Sequence, residues 1–183
     1  MRCIVFFSII AGLLLCVACA ENNENKKKLE GKINSFKQTA INLPDNMLAQ
    51  NCDENTPADT GLLRRPLKMI VYLNNEGCQN CKMQSLSHIY MFMLENEAFK
   101  NFAVIIILNP VDVEEAKKTL ADMNFKRTVF FDLDGSFERL NPHLPAEELF
   151  HTFLMNEKNE VILVGNPVHN EKLKKLYLSE MSK

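Results

Sequence analysis

Between Lys68 and Leu94 the chain lays down a short apolar run, a tight turn holding two cysteines, and a helical stretch. Lys68-Met69-Ile70-Val71-Tyr72-Leu73 carries β-branched and aromatic residues, Asn74, Asn75 and Gly77 are turn formers, and Met83 to Leu94 returns apolar side chains at helical spacing. Gly77-Cys78-Gln79-Asn80-Cys81 therefore stands at the mouth of a helix. Unpaired N–H groups and the positive end of the helix dipole favour a thiolate at Cys78 there. Cys81 follows one turn later, near enough to close an intramolecular disulfide and so resolve a mixed one. Such a pair behaves as a dithiol/disulfide couple.

Other roles for a CxxC pair stay open beside that one. It can be half of a zinc site, which needs two further ligands, but Cys52, His88, His143, His151 and His169 are scattered singly, and beyond Cys16-Val17-Ala18-Cys19 near the start of the chain no second CxxC or HxxxH exists. It can be an inert structural disulfide in a protein-binding module. With His151, Cys78 and Cys81 could also hold a soft metal such as Cu(I). No phosphate loop, GxSxG or suitably placed carboxylate pair supports nucleotide or hydrolase chemistry, and neither a cofactor nor a resident metal is expected. A net charge of -2 with mixed signs argues against nucleic acid as a partner.

The first residues read as an address. Arg2 is a minimal basic start, Ile4 to Leu15 is an apolar run shorter than the ~20 residues that span a bilayer, and Ala18 and Ala20 are small. This predicts an export signal rather than a permanent transmembrane anchor. Leu15-Cys16-Val17-Ala18-Cys19 resembles the lipobox of bacterial lipoproteins, which implies a signal over residues 1–18 and a lipid on Cys19. Cys3 and Cys16 would then leave with the signal, so that of the six cysteines Cys52, Cys78 and Cys81 remain as thiols, in a compartment that permits disulfides. Residues 19–32 read as a flexible tether, since Glu21 to Lys28 holds no apolar residue, and residues 33–183 as the folded domain.

Leu29 to Gln50 suggests an edge strand or hairpin around Ile33, Phe36 and Ile41, and Asn51 to Arg65 reads as loop, in which Cys52 could be a third redox thiol, a handle for a mixed disulfide or, by preference, a buried small hydrophobe. Phe102 to Leu108 is an uninterrupted β-branched run, the signature of a strand buried on both faces. Asp112 to Met123 has acids early, lysines later and one apolar face, so it reads as a surface helix. Thr128 to Asp132 is a further strand, ended by Asp134-Gly135, and Pro145 followed by Ala146-Glu147-Glu148 signals a helix start. Thr152 to Met155 and Val161 to Gly165 form a hairpin, and Asn170 to Ser179 a terminal amphipathic helix. Alternating strands and helices predict an α/β sheet.

From Met69 to Leu178 this layout resembles the thioredoxin-like fold, in the branch of membrane-tethered bacterial thiol-disulfide proteins of the TlpA/ResA type, and is similar to thioredoxin-like lipoproteins of Bacteroidetes. The features that carry the resemblance are the GCQNCK turn, the Val104 to Leu108 strand, the added helix and strand over Val113 to Asp132, and His151 to Met155 followed by Glu160 to Gly165. It implies a three-layer α/β/α domain with a helix-strand insertion and an N-terminal edge strand or hairpin. It implies a monomeric thiol-disulfide oxidoreductase of the cell envelope, lipid-anchored and facing the periplasm or the cell surface, acting on protein thiols or disulfides. Cys78 would attack and Cys81 resolve. Where such proteins carry a cis-proline this chain has Phe150 and His151; a trans bond is expected there, since a non-proline cis bond costs about 2.5–4 kcal/mol. Both residues become groove candidates, with His151 opposite the motif to donate a proton or position a substrate. The aromatic that often precedes the motif is replaced by Gly77. The buried acid of the first strand falls at Tyr72, and Glu76 reads as a solvated turn residue, so no proton acceptor for Cys81 is identified.

Overall fold

The structure, a computed structural model, describes residues 24–53 and 55–183. In chain order its elements are α1 (residues 24–36), β1 (Leu48–Asn51), β2 (Leu67–Leu73), α2 (Gln79–Gln84), α3 (Leu86–Glu95), β3 (Phe102–Leu108), α4 (Val113–Asp122), β4 (Thr128–Phe131), α5 (Ser136–Leu140), β5 (Thr152–Met155), β6 (Val161–Val164) and α6 (Glu171–Met181). Single 3-10 turns sit at Thr60–Arg64, Glu148–His151 and Pro167–His169. The chain divides after Ser35 into two units, and Phe36–Lys183 carries the whole sheet.

That sheet has the order β1-β4-β3-β2-β5-β6. Its centre is the pair β2 and β3, parallel and in register from Leu67 opposite Phe102 to Leu73 opposite Leu108. β4 is parallel to β3, while β5 and β6 run antiparallel beyond β2 and β1 runs antiparallel to β4. Every residue of β3 is buried, as its unbroken apolar sequence requires of a central strand.

Side chains alternate across the strands, and the two faces are covered differently. Met69, Val71, Val104 and Ile106 pack with Leu86, Ile89 and Phe92 of α3, Leu120 of α4 and Tyr177 of α6. The opposite face, with Ile70, Tyr72, Ile105, Phe130 and Phe153, meets the short α5 and irregular chain rich in aromatics. Phe36 stands edge-on to Phe153 and Phe150, with ring centroids at 5.4 and 5.8 Å, and Phe137 of α5 lies 4.8 Å from Tyr72. These are tilted or edge-to-face arrangements, the favourable geometry for aromatic pairs. Lys68 on this face is 2% exposed, and its Nζ donates to the carbonyls of Arg65 at 2.8 Å and Asn156 at 3.4 Å.

The expected strands and the helices after β3 and at the C-terminus are present close to their expected bounds. The edge strand expected within Leu29 to Gln50 lies at its end, as β1; the stretch around Ile33 and Phe36 is helical up to residue 36, and Ile41 is a buried plug rather than a strand residue. From residue 24 onward, the stretch expected as a flexible tether is the helix α1. Its Lys and Glu residues are good helix formers, and Lys26 and Glu30 pair across one turn at 3.9 Å. The single helix expected over Met83 to Leu94 breaks at Ser85, whose hydroxyl donates to the Lys82 carbonyl at 2.6 Å. After Pro145 only the 3-10 turn Glu148–His151 forms, its N-cap residue Glu147 making no side-chain cap bond. The unexpected α5 is organised by buried Asp132, whose carboxylate accepts from the Ser136 and Phe137 amides at 2.9 and 3.0 Å.

Truncating Phe153, 0% exposed between Phe36 and β2, leaves a cavity in the aromatic face. Phe153→Ala should cost about 3–5 kcal/mol of unfolding free energy, read from the denaturant midpoint at constant slope.

Candidate functional site

β2 ends at Leu73, and the chain turns through Gly77 at a φ of +68° before α2 begins. Only glycine takes that conformation without a steric penalty, so the turn that aims the cysteines depends on it. Cys78 is the N-cap of α2, and its Sγ accepts from the Cys81 amide at 3.3 Å. Cys78 and Cys81 form a disulfide, with Cα atoms 5.4 Å apart and both residues exposed.

The two residues inside the motif fasten it to the neighbouring loop and helix. Gln79 donates to the Asn109 carbonyl at 3.3 Å and accepts from the Val111 amide at 3.1 Å, while Asn80 accepts from the Thr119 hydroxyl of α4 at 3.3 Å. The start of α2 is thereby held by the chain leaving β3 as well as by the chain leaving β2.

Cys78 and Cys81 border an open cleft of about 400 Å³, together with Lys82, Glu148, Leu149, His151 and Asn166. Lys82 points its Nζ at the buried Asn74 side chain, 2.6 Å away, and at the Glu148 carboxylate, 3.0 Å away. Its side chain is 16% exposed whereas that of Glu148 is 72% exposed, so the cation lies within the cleft wall and the anion on its rim. His151 is buried, with its Nε2 3.2 Å from the Pro145 carbonyl and its ring 5.4 Å from that of Tyr72. Burial pulls its pKa below the ordinary 6.5, with Lys82 adding to that effect and the Pro145 bond, Glu138 and Glu148 opposing it. The Tyr72 hydroxyl is buried, and burial raises its pKa, with Asn109 opposing that effect and Glu138 adding to it.

The sequence-derived candidates thus separate. Cys78, Cys81 and His151 share the cleft. Phe150 does not border it; the ring is 0% exposed and packs edge-on to Phe36 in the aromatic core. Lys82, Glu148, Leu149 and Asn166 also line it. Along the sequence Lys82 stands out only as a local charge and the other three carry no signal, because their approach depends on β5 returning beside β2. The Phe150–His151 stretch contains no cis peptide, nor does any other described residue. Cys52 stands outside the cleft, partly buried against the core, and burial pushes its thiol up to about 11. Cys19 lies outside the described residues, among which no helix is long and apolar enough to cross a membrane. Among the described residues, no group of three or more His, Cys, Asp and Glu side chains is placed to hold a metal ion.

Two outcomes follow from these environments. In the reduced protein near pH 8, iodoacetamide should label Cys78 well before Cys52, since a thiol at about 11 is almost wholly protonated there; peptide mass spectrometry reads the order. His151, lowered in the fold, takes up its proton more readily in the unfolded chain, so its contribution to stability is complete above about pH 6.5 and is lost as pH falls toward its folded value. The thermal midpoint should therefore fall on acidification through that window, and less steeply in His151→Gln.

No family model matches the chain, and no curated protein matches it. Solved structures do. A protein assigned as thiol:disulfide interchange protein DsbE from Chlorobium tepidum superposes with a TM-score of 0.56 at 19% identity, covering 79% of this chain and 97% of its own. A thioredoxin-like protein in the oxidised form gives 0.55 at 13% identity, covering 80% and 97%. The thioredoxin domain of a thiol-disulfide oxidoreductase from Bacteroides vulgatus gives 0.51 at 8% identity, covering 75% and 98%. With the strand order and the disulfide at the N-terminus of α2, these likenesses identify the fold: the chain has a thioredoxin-like fold.

Proposed function

We propose that this protein is an exported, lipid-anchored thiol-disulfide oxidoreductase of the cell envelope that exchanges disulfides with protein thiols. The observation that carries the reading is the Cys78–Cys81 disulfide, which caps a helix N-terminus and borders an open cleft. Cys78 is the nucleophile. The Cys81 amide points at its sulfur, the interaction that favours a thiolate at that position. In the reducing direction the Cys78 thiolate attacks a substrate disulfide, one substrate sulfur leaves with its electron pair, and Cys81 then displaces the second to close the Cys78–Cys81 bond. Oxidation of a substrate dithiol runs the same steps backwards. The cleft beside the disulfide gives an extended polypeptide a place to lie, and the lipid expected on Cys19 would hold the domain at a membrane.

A glutathione redox titration of the full-length protein, with free thiols trapped by alkylation, tests the reading. The pair should exchange with a potential between about -270 and -120 mV, the span of known oxidoreductases; a pair still oxidised below about -300 mV would instead be structural. Cys78→Ser should abolish exchange and Cys81→Ser should accumulate mixed disulfides, while equal activity of the two variants would refute the assignment. Cys19→Ser should release the protein from the membrane fraction, and unchanged partitioning would remove the lipid anchor from the proposal.

A further inference from the structure

Disulfide exchange at this site needs a proton acceptor, because the Cys81 thiol must become a thiolate before it can attack a mixed disulfide on Cys78. The strand position where an acid would serve holds Tyr72, whose buried hydroxyl keeps its proton. Glu148 borders the cleft but is 72% exposed and tied to Lys82 at 3.0 Å. Glu76 is an exposed turn residue that does not border the cysteine cleft; it lines a neighbouring hollow, which His151 borders as well. His151 remains, 5% exposed and on the wall of the same cleft as both cysteines.

The hydrogen bonding of that ring fixes its tautomer. A carbonyl oxygen can only accept, so the 3.2 Å contact between Nε2 and the Pro145 carbonyl places the proton on Nε2. In the neutral ring Nδ1 is then a bare acceptor, and no hydrogen bond among the described residues engages it. The groups facing the ring are Tyr72 from β2, Lys82 from α2, Glu138 from α5 and Glu148 from the 3-10 turn that His151 itself ends. Burial and Lys82 outweigh the two glutamates and the Pro145 bond, which keeps the ring neutral at pH 7.

Resting on the exchange reading above, we infer that Nδ1 of His151 is the proton acceptor for Cys81, working through water in the open cleft. With substrate joined to Cys78, the Cys81 thiol passes its proton to Nδ1 and its sulfur attacks Cys78. The Cys78–Cys81 bond forms as the Cys78–substrate bond breaks. The electron pair of the broken bond stays on the substrate sulfur, which takes the proton from the imidazolium. Two electrons have moved from the dithiol to the substrate, and the ring is neutral again. In the opposite direction the imidazolium protonates Cys81 as it leaves.

The test uses full-length reduced protein and oxidised glutathione, quenched at intervals and mapped by mass spectrometry so that adducts on Cys52 are counted separately. His151→Gln keeps a side-chain N–H for the Pro145 carbonyl and removes the base. It should form the Cys78–glutathione adduct at the wild-type rate and resolve it about 100-fold more slowly at pH 7. The deficit should shrink as rising pH ionises Cys81 unaided. Equal resolution rates and pH profiles in variant and wild type would overturn the role of His151 alone, whereas a wild type that forms no adduct or never resolves it would overturn the exchange reading beneath it. Nitrogen NMR of histidine-labelled wild type tests the tautomer without relying on the variant to fold: an Nε2–H tautomer with unprotonated Nδ1 at pH 7 is expected, and an Nδ1–H tautomer or an imidazolium would overturn the inference.

Discussion

The parallel register of β2 against β3 is the constraint on which the other features depend. Because Leu73 lies opposite Leu108, both strands leave the sheet at the same edge, and the loops that follow them meet. Gln79 joins those loops by bonding both Asn109 and Val111, which fixes where α2 starts and therefore where Cys78 sits. β5 pairs with the other side of β2 in the opposite direction, so the residues just before it, Glu148 to His151, arrive in front of that same helix start. One strand, paired on two sides, brings together the parts of the cleft.

The two faces of the sheet do different work. Helices α3, α4 and α6 cover one face with aliphatic and aromatic packing, the arrangement that makes the central strands read as continuous hydrophobic runs. The other face is closed by interlocked rings from Phe36, Phe137, Phe150 and Phe153 with little regular structure above them. A few aromatics cover much area, which lets irregular chain rather than a long helix complete the core. That irregular chain supplies one wall of the cleft, and the buried Phe150 anchors it directly beside His151.

Buried polar groups here lean on backbone carbonyls more than on opposite charges. Lys68 donates to two carbonyls, and His151 takes the carbonyl of Pro145. A carbonyl satisfies a donor without adding a buried formal charge, and for the histidine it also selects which nitrogen carries the proton. The formal ion pair of the cleft, Lys82 with Glu148, stands partly in solvent, where its attraction is modest and its geometry can adapt to a bound chain.

Local chemistry is legible in the sequence wherever a residue's role follows from its neighbours along the chain. The β-branched run Phe102 to Leu108 announces a central strand, and the GCQNC turn between an apolar run and a helix announces the cysteine pair, because β burial and helix-end chemistry act over a few residues. The break at Ser85 and the five-residue α5 leave no such mark, since so short an element shows no periodicity and its stability comes from Asp132 capping. The identity of the cleft walls was decided only by tertiary structure. Lys82 meets Glu148, and Phe150 turns inward while the adjacent His151 meets the cleft, only once β5 is laid beside β2. The sequence by itself determined a thiol pair at the mouth of a helix; which groups face it is set by strand pairing between distant segments, an interaction that no local pattern encodes.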